Sequence, residues 1–339
     1  MKKKAGTVLK AVIIVVVVIA ATYLIWNYPL RSLIYPDFFS NAKSLDRIPD
    51  LKDGFVPQGV TYFEQEGCRL ICGYMPDDRA SRIYKLYDDG TVKRIDLKRE
   101  DGSVYTGHAG GITAAGDYVY VSNQSKLFVI DAGKLKDALS GESLAFEGFA
   151  EVPCNSSFCS SDGEYVYVGE YHAKGYDTDE THVFKVKGGN QAALVFRYRL
   201  GNGKYGLEDL SVPDAAYSIR DNVQGFAFIG NGRCVASCSS GLSDSGLYVY
   251  NAPKEAASYL ALSGEGKAVK AAKEGEAGAF PLYYLDTDSL EKCIKAPHMS
   301  EDLEYRNSAL LINFEAGAKK FGLGLLPISI TRLVSLNIQ

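Results

Sequence analysis

Basic charge is not in excess in this sequence: 37 Lys and Arg stand against 41 Asp and Glu, for a net charge of −4. A nucleic-acid binder normally carries a basic face, so no nucleic-acid partner is expected. Histidine and tryptophan are scarce, with four and one in 339 residues. No Cys-x-x-Cys pair and no HExxH occur, which argues against a zinc site of ordinary spacing. GxSxG, the phosphate-binding P-loop and the dinucleotide fingerprint are also missing from any supporting context. Long apolar runs are confined to one stretch near the N-terminus. What is plentiful points elsewhere: 46% hydrophobic residues, 23 Tyr and 34 Gly fit a folded, turn-rich, β-rich chain.

The apolar run extends from Ala11 to Trp26 behind Lys2, Lys3, Lys4 and Lys10. At about 1.5 Å per helical residue, Val8 to Trp26 spans roughly 28 Å, close to a hydrocarbon core. The run is long for a signal peptide, and Ile19-Ala20-Ala21 lacks the small-x-small cleavage pattern. We therefore expect a cytoplasmic tail over 1–7, an uncleaved transmembrane signal anchor over 8–26 and a linker over 27–43. The lysines should stay cytoplasmic, giving a single-pass plasma-membrane protein with an extracytoplasmic C-terminal domain. Membrane contact through this helix is the one partner the sequence indicates directly.

Beyond the linker, one pattern recurs five times. A short apolar strand is followed by a tight turn, a second strand rich in Val, Tyr and Ile, and a third amphipathic strand. The first strands begin at Gln58-Gly-Val, Gly110-Gly-Ile, Ser156-Ser-Phe, Gln224-Gly-Phe and Glu301-Asp-Leu. Four of the turns between first and second strands fall on Gly116-Asp117, Asp162-Gly163, Asn231-Gly232 and Asn307-Ser308, which are hairpin residues. Third strands are expected at Arg82, Lys126, His182, Gly246 and Arg332, and fourth strands at Val92, Gly148, Leu194 and Leu290. The fifth repeat ends before a fourth strand, and Ser44-Leu-Asp-Arg-Ile upstream of the first can supply it. The expected fold is all-β: a five-bladed β-propeller over 44–339, closed by an N-terminal strand. Insertions lengthen it at 201–221 and 252–280, the second read as an exposed loop with room for a short helix.

Such a ring brings the starts of first strands and the ends of second strands together around an axial funnel, where a ligand pocket is expected. The candidate ligand-binding residues are Gln58, Tyr74, His108, Asn123, Ser156, Glu170, Tyr171, Gln224, Ser240 and Glu301, with Glu315 beside them. Counting along uninterrupted strands sets Tyr74 opposite Gln58, Tyr171 opposite Ser156 and Ser240 opposite Gln224. Gln58, Gln224 and Ser156 are equally readable as partners of crowded backbone groups. Clustered Glu301, Glu170 and Glu315 need a metal, a cationic ligand or raised pKa values. They are candidate Ca2+ ligands with Asn123, or candidate acid, base and nucleophile of a hydrolase, with His108 assisting. A pocket that only binds, or an envelope scaffold for a partner protein, completes the alternatives. Of the seven cysteines only Cys154 and Cys159 stand where a disulfide is conceivable.

Pro57-Gln-Gly-Val-Thr, Gly107-His-Ala-Gly-Gly-Ile, Ser156-Ser-Phe, Val168-Gly-Glu-Tyr, Val223-Gln-Gly-Phe and Met299-Ser-Glu occur in this order. Together they resemble a group of secreted or membrane-anchored β-propeller proteins of Gram-positive bacteria, over residue 44 to the end. The chain is more remotely similar to gluconolactonase-like and quinoprotein-like propellers. The resemblance implies fold and location and supplies no catalytic role. A glycan or another cell-envelope component is the expected ligand class.

Overall fold

The computed structural model describes residues 2–27, 29–264, 266–322 and 328–338, with backbone alone at 2–9, 23–27 and 29. Three helices open the chain, α1 (Lys2–Asn27), α2 (Pro29–Ile34) and α3 (Pro36–Asn41), and β1 (Ala42–Arg47) follows. The expected anchor over 8–26 falls within α1 and lies partly outside the residues whose side chains are described. Among the described residues, no helix is long and apolar enough to cross a membrane. The expected linker over 27–43 is instead occupied by α2, α3 and the start of β1. It is held because Tyr35 and Phe38 are buried in an apolar cluster with Phe314, Ile328 and Leu336.

The rest is an all-β propeller. Its first sheet contains β2 (Val56–Phe63), β3 (Cys68–Tyr74), β4 (Arg82–Leu86) and β5 (Val92–Lys98). The second contains β6 (Gly111–Ala115), β7 (Tyr118–Asn123), β8 (Lys126–Asp131) and, after α4 (Ala132–Asp137) and β9 (Ser143–Ala145), β10 (Gly148–Glu151). β9 itself joins the first sheet, parallel to β5. The third sheet starts with β11 (Ser156–Ser161) and β12 (Tyr165–Glu170). A separate hairpin, β13 (Phe184–Val186) and β14 (Gly189–Gln191), intervenes before β15 (Ala193–Arg199) and β16 (Ala215–Ile219) extend that sheet. The fourth contains β17 (Val223–Gly230), β18 (Arg233–Cys238) and β19 (Ser245–Asn251). β20 (Ser258–Leu262), β21 (Val269–Ala272) and β22 (Ala279–Tyr284) then return to the third sheet, before β23 (Leu290–Ala296) completes the fourth. The last combines β24 (Ser300–Arg306), β25 (Ala309–Phe314), β26 (Arg332–Asn337) and β1, which pairs antiparallel with β26.

Several expectations are corrected here. The third strand of the third repeat is Ala193–Arg199, not the segment at His182, because the latter is consumed by a hairpin insertion. The segment at Leu194 is thus a third strand, and the fourth, β16, lies inside the supposed insertion 201–221. The 252–280 insertion is no loop with a helix. Its β20 and β21 and the following β22 add to the outer edge of the third sheet, with β22 parallel to β16. Leu260, Phe280 and Leu282 are buried with Phe196 in that sheet's core, which gives these strands their apolar footing.

Glycine explains how the first strands approach one another. A Cβ on Gly59 would stand 2.4 Å from Ile112 N, one on Gly111 2.4 Å from Cys159 N, and one on Gly225 2.7 Å from Asp302 Cα. No side chain fits at such separations, so β2 meets β6, β6 meets β11 and β17 meets β24 backbone to backbone. The expected turns are observed between their hairpins: Ala115 pairs with Tyr118, Gly230 with Arg233 and Arg306 with Ala309. Asn231, Gly232, Asn307 and Ser308 all have positive φ, as two-residue hairpin turns demand.

Candidate functional site

Four of the five first strands, all but β6, are bulged where they open onto the axis. Pairing skips a residue between Pro57 and Gly59, between Ser156 and Phe158, and between Val223 and Gly225, and is displaced between Ser300 and Leu303. A bulge re-aims the side chain it releases. Gln58 and Gln224 are freed in this way, and Glu301 and Asp302 share the fourth irregularity. The register differs from the expected one: Tyr74 lies opposite Val56, Ser156 opposite Glu170, and Cys238 opposite Val223. In the third sheet the bulge alone makes the difference, whereas in the first and fourth the regular pairings Val60 with Ile71 and Phe226 with Ala236 are already displaced before it.

Four of the expected residues meet at one centre. Gln58 Nε2 donates to Glu315 Oε2 at 2.9 Å, and Gln224 Nε2 to Glu301 Oε1 at 3.4 Å. Glu301 and Glu315 hydrogen-bond each other. Burial first, and then the Glu315 charge, raise the Glu301 carboxyl well above its usual range; burial also raises Glu315, against Gln58 and Lys320. Two such carboxyls cannot both ionise cheaply, so the charge on either one opposes ionisation of the other. Above it, Tyr74 stacks on His108 with ring centroids 4.6 Å apart, and Lys320 Nζ donates to Tyr74 Oη at 2.6 Å. His108 keeps an exposed edge, yet desolvation by the protein packed around it, with a smaller push from Lys320, lowers its pKa to about 4. The imidazole is therefore neutral at pH 7. Tyr171 meets Tyr176 edge-on at 5.6 Å, hydrogen-bonds Ser240, and feels the charges of Glu301 and Glu315.

Other expected residues do different work. Ser156 Oγ donates to Lys126 O at 2.8 Å and ties the third sheet to the second. Asn123 stands beside Tyr105 and Gly107, bonded to the tyrosine. Glu170 is fully buried against His182 Nδ1 at 2.6 Å and takes the N–H of Leu194 at 3.0 Å. It is spent on holding β12, β15 and the 180–182 turn together. Among the described residues no three His, Cys, Asp or Glu groups gather to hold a metal ion. The Ca2+ set of Glu301, Glu170, Glu315 and Asn123 is accordingly not assembled. Cys154 and Cys159 are both free and buried, so the conceivable disulfide is not formed.

Three functional side chains escaped the sequence reading. Asp302 and Glu304 are buried on the axis below the pair. Asp302 Oδ2 accepts from Val60 N and Ile112 N at 3.4 and 3.3 Å. Glu304 accepts from Tyr62 N at 3.0 Å and from the hydroxyls of Thr61 and Thr113. Burial pushes Glu304 up to about 7. Asp302 Oδ1 and Asn313 Oδ1 are buried without a hydrogen-bond partner among the described residues. Three acids within Glu301-Asp-Leu-Glu-Tyr, in a strand expected to be buried, were the signal for the first two. Lys320 has no counterpart in the other repeats and nothing marked it.

No protein-family model matches the chain, and no curated protein matches it either. Among solved structures it is similar to a gluconolactonase of Xanthomonas campestris, at 11% identity and TM-score 0.37 over 84% of this chain and 87% of that one. It is similar to the PQQ-bound aldose sugar dehydrogenase of Streptomyces coelicolor at 16% identity and TM-score 0.37, over 80% and 78%. For BamB of Moraxella catarrhalis the values are 10% and 0.34, over 84% and 86%. Likenesses this remote carry no argument about activity. The propeller rests on its own sheets.

Proposed function

We propose that the chain is a membrane-tethered, extracytoplasmic five-bladed propeller that binds a glycan or another cell-envelope component in its axial funnel. Five sheets of at least four strands, whose first strands neighbour one another in cyclic order from β2 through β6, β11, β17 and β24 back to β2, support the blade count. The lysine-flanked apolar run supports the tether.

The observation that carries the binding role is the convergence of Gln58, Gln224, Glu301 and Glu315 beneath the Tyr74–His108 stack. Amides and a carboxyl pair offer donors and acceptors to sugar hydroxyls, while aromatic faces suit the apolar faces of sugar rings. A paired-carboxylate glycosidase needs its two acids about 5–10 Å apart to admit a glycosidic bond. Glu301 and Glu315 bond directly to each other, which favours binding over hydrolysis.

The test is a thermal shift of the full chain in detergent against sugars, peptidoglycan fragments and divalent ions. A specific ligand raises Tm with concentration, by mass action. That rise should vanish in Gln58→Ala and in Glu301→Gln. A flat response across the panel, with a partner protein co-purifying, would replace binding by the scaffold reading.

A further inference from the structure

The segment joining α1 to the propeller is docked on one identifiable face. Tyr35 Oη donates to Asp244 Oδ1 at 2.5 Å, and Lys295 Nζ pairs with the same carboxylate at 2.7 Å. Asp244 directly precedes β19, whose first residue, Ser245, accepts the N–H of Ser300 at 3.1 Å, one residue from Glu301. Phe38 packs edge-on against Phe314, the neighbour of Glu315, with centroids 6.0 Å apart. The chain therefore arrives at the funnel end of the fourth and fifth sheets, and α3 descends between them before β1 returns.

Covalent reach then limits the distance between α1 and that face. Tyr35 follows Asn27 by eight residues, six of them in α2. At helical rise this is roughly 12 Å, and fully extended no more than about 28 Å. The hairpin turns at Asn231-Gly232 and Asn307-Ser308 lie a strand length farther, roughly 20 Å beyond the funnel face.

The same face carries the three most exposed large apolar side chains among the described residues: Leu33 at 75%, Tyr176 at 66% and Leu242 at 66%. Leu33 sits on α2, two residues before the docked Tyr35. Tyr176 meets Tyr171 at the funnel rim. Leu242 belongs to the loop that carries Ser240 and Asp244. Lys319 and Lys320, also exposed, stand on this side.

We propose that the funnel mouth faces the lipid headgroup layer, with Leu33, Tyr176 and Leu242 resting on it, so that ligands reach the funnel from the membrane surface. The proposal depends on the tethered reading above. Apolar and aromatic tips with lysines beside them suit that interface, where one end of a side chain is wet and the other is not.

The experiment places single cysteines at Leu242, Tyr176 and Asn231 in a Cys293→Ser background, Cys293 being the exposed thiol among the described residues. The full-length variants are labelled with a fluorophore and reconstituted in phosphatidylcholine–phosphatidylglycerol vesicles that contain headgroup spin-labelled lipid. Labels in Leu242→Cys and Tyr176→Cys should be quenched several-fold more than the label in Asn231→Cys. Equal quenching, or stronger quenching of the Asn231→Cys label, with the protein still floating with the vesicles, overturns the orientation alone. Protein that fails to float overturns the tether, and the proposal with it.

Discussion

Replacing Glu304 by Gln should flatten the pH dependence of stability between pH 5 and 8. The carboxyl is 1% exposed, and burial outweighs its bonds to Thr61, Tyr62 and Thr113 and the nearby Arg306. Its pKa rises from the ordinary 4.5 to about 7 in the folded chain. Between those values the unfolded chain has released the proton and the folded chain keeps it. Stability is therefore greatest below pH 4.5 with respect to this group, falls as pH rises, and levels off above 7. At about 1.4 kcal/mol per pH unit, the loss amounts to about 3 kcal/mol. Gln is neutral throughout and escapes this loss. On raising the pH from 5 to 8, the variant should lose about 3 kcal/mol less than wild type in urea melts of the full chain, or roughly 5 °C less in Tm. Glu301 and Asp302, also raised by burial, leave a residual slope in both proteins. Parallel profiles for the two proteins would refute the buried, proton-holding axis.

Gly111→Ala should abolish folding or cost several kcal/mol, about 3 or more, because its Cβ would stand 2.4 Å from Cys159 N and 2.7 Å from Phe158 Cα; a wild-type melting curve would contradict the close strand approach. Lys85 is fully buried, with its Nζ bonded to Glu66 and to the carbonyls of Leu135, Lys136 and Ala138 beside the end of α4. Lys85→Met leaves those acceptors without their donor and should cost about 3 kcal/mol, read from urea melts; a neutral outcome would show the cluster to be dispensable. EDTA should leave Tm within about a degree of its starting value, since Glu170 is committed to His182. A larger fall would restore a metal to the funnel.

Local chemistry made much of this molecule legible. Hairpins were readable because Gly116-Asp117, Asn231-Gly232 and Asn307-Ser308 separate strands of alternating pattern, and such turns depend on neighbours in sequence. The polar ring was readable because Gln58-Gly and Gln224-Gly recur at matched positions, one residue aimed inward and the next making room for a strand. Register at the funnel was not, since a bulge carries no fixed residue signature and one extra residue shifts every later pairing. Glu170 misled for the same reason: its place at the end of β12 resembles that of Glu315 at the end of β25, but a histidine twelve residues on captures it. The third sheet was misread because His182-Val-Phe-Lys-Val has a strand pattern and forms a strand, though in a hairpin of its own. Burial of Asp302 and Glu304 runs against the ordinary surface preference of carboxylates, and only the assembled axis supplies their donors.

Carboxyl groups from β24 and from the end of β25 meet at one centre, Glu301 beside Glu315. Carboxyl-carbon NMR titration of the full chain labelled at glutamate, compared with Glu315→Gln, tests this most directly. Glu301 should titrate well above the usual carboxyl range in wild type, and distinctly lower once the Glu315 charge and hydrogen bond are removed. A Glu301 signal that titrates near 4.5, or that does not move on substitution of Glu315, would contradict it.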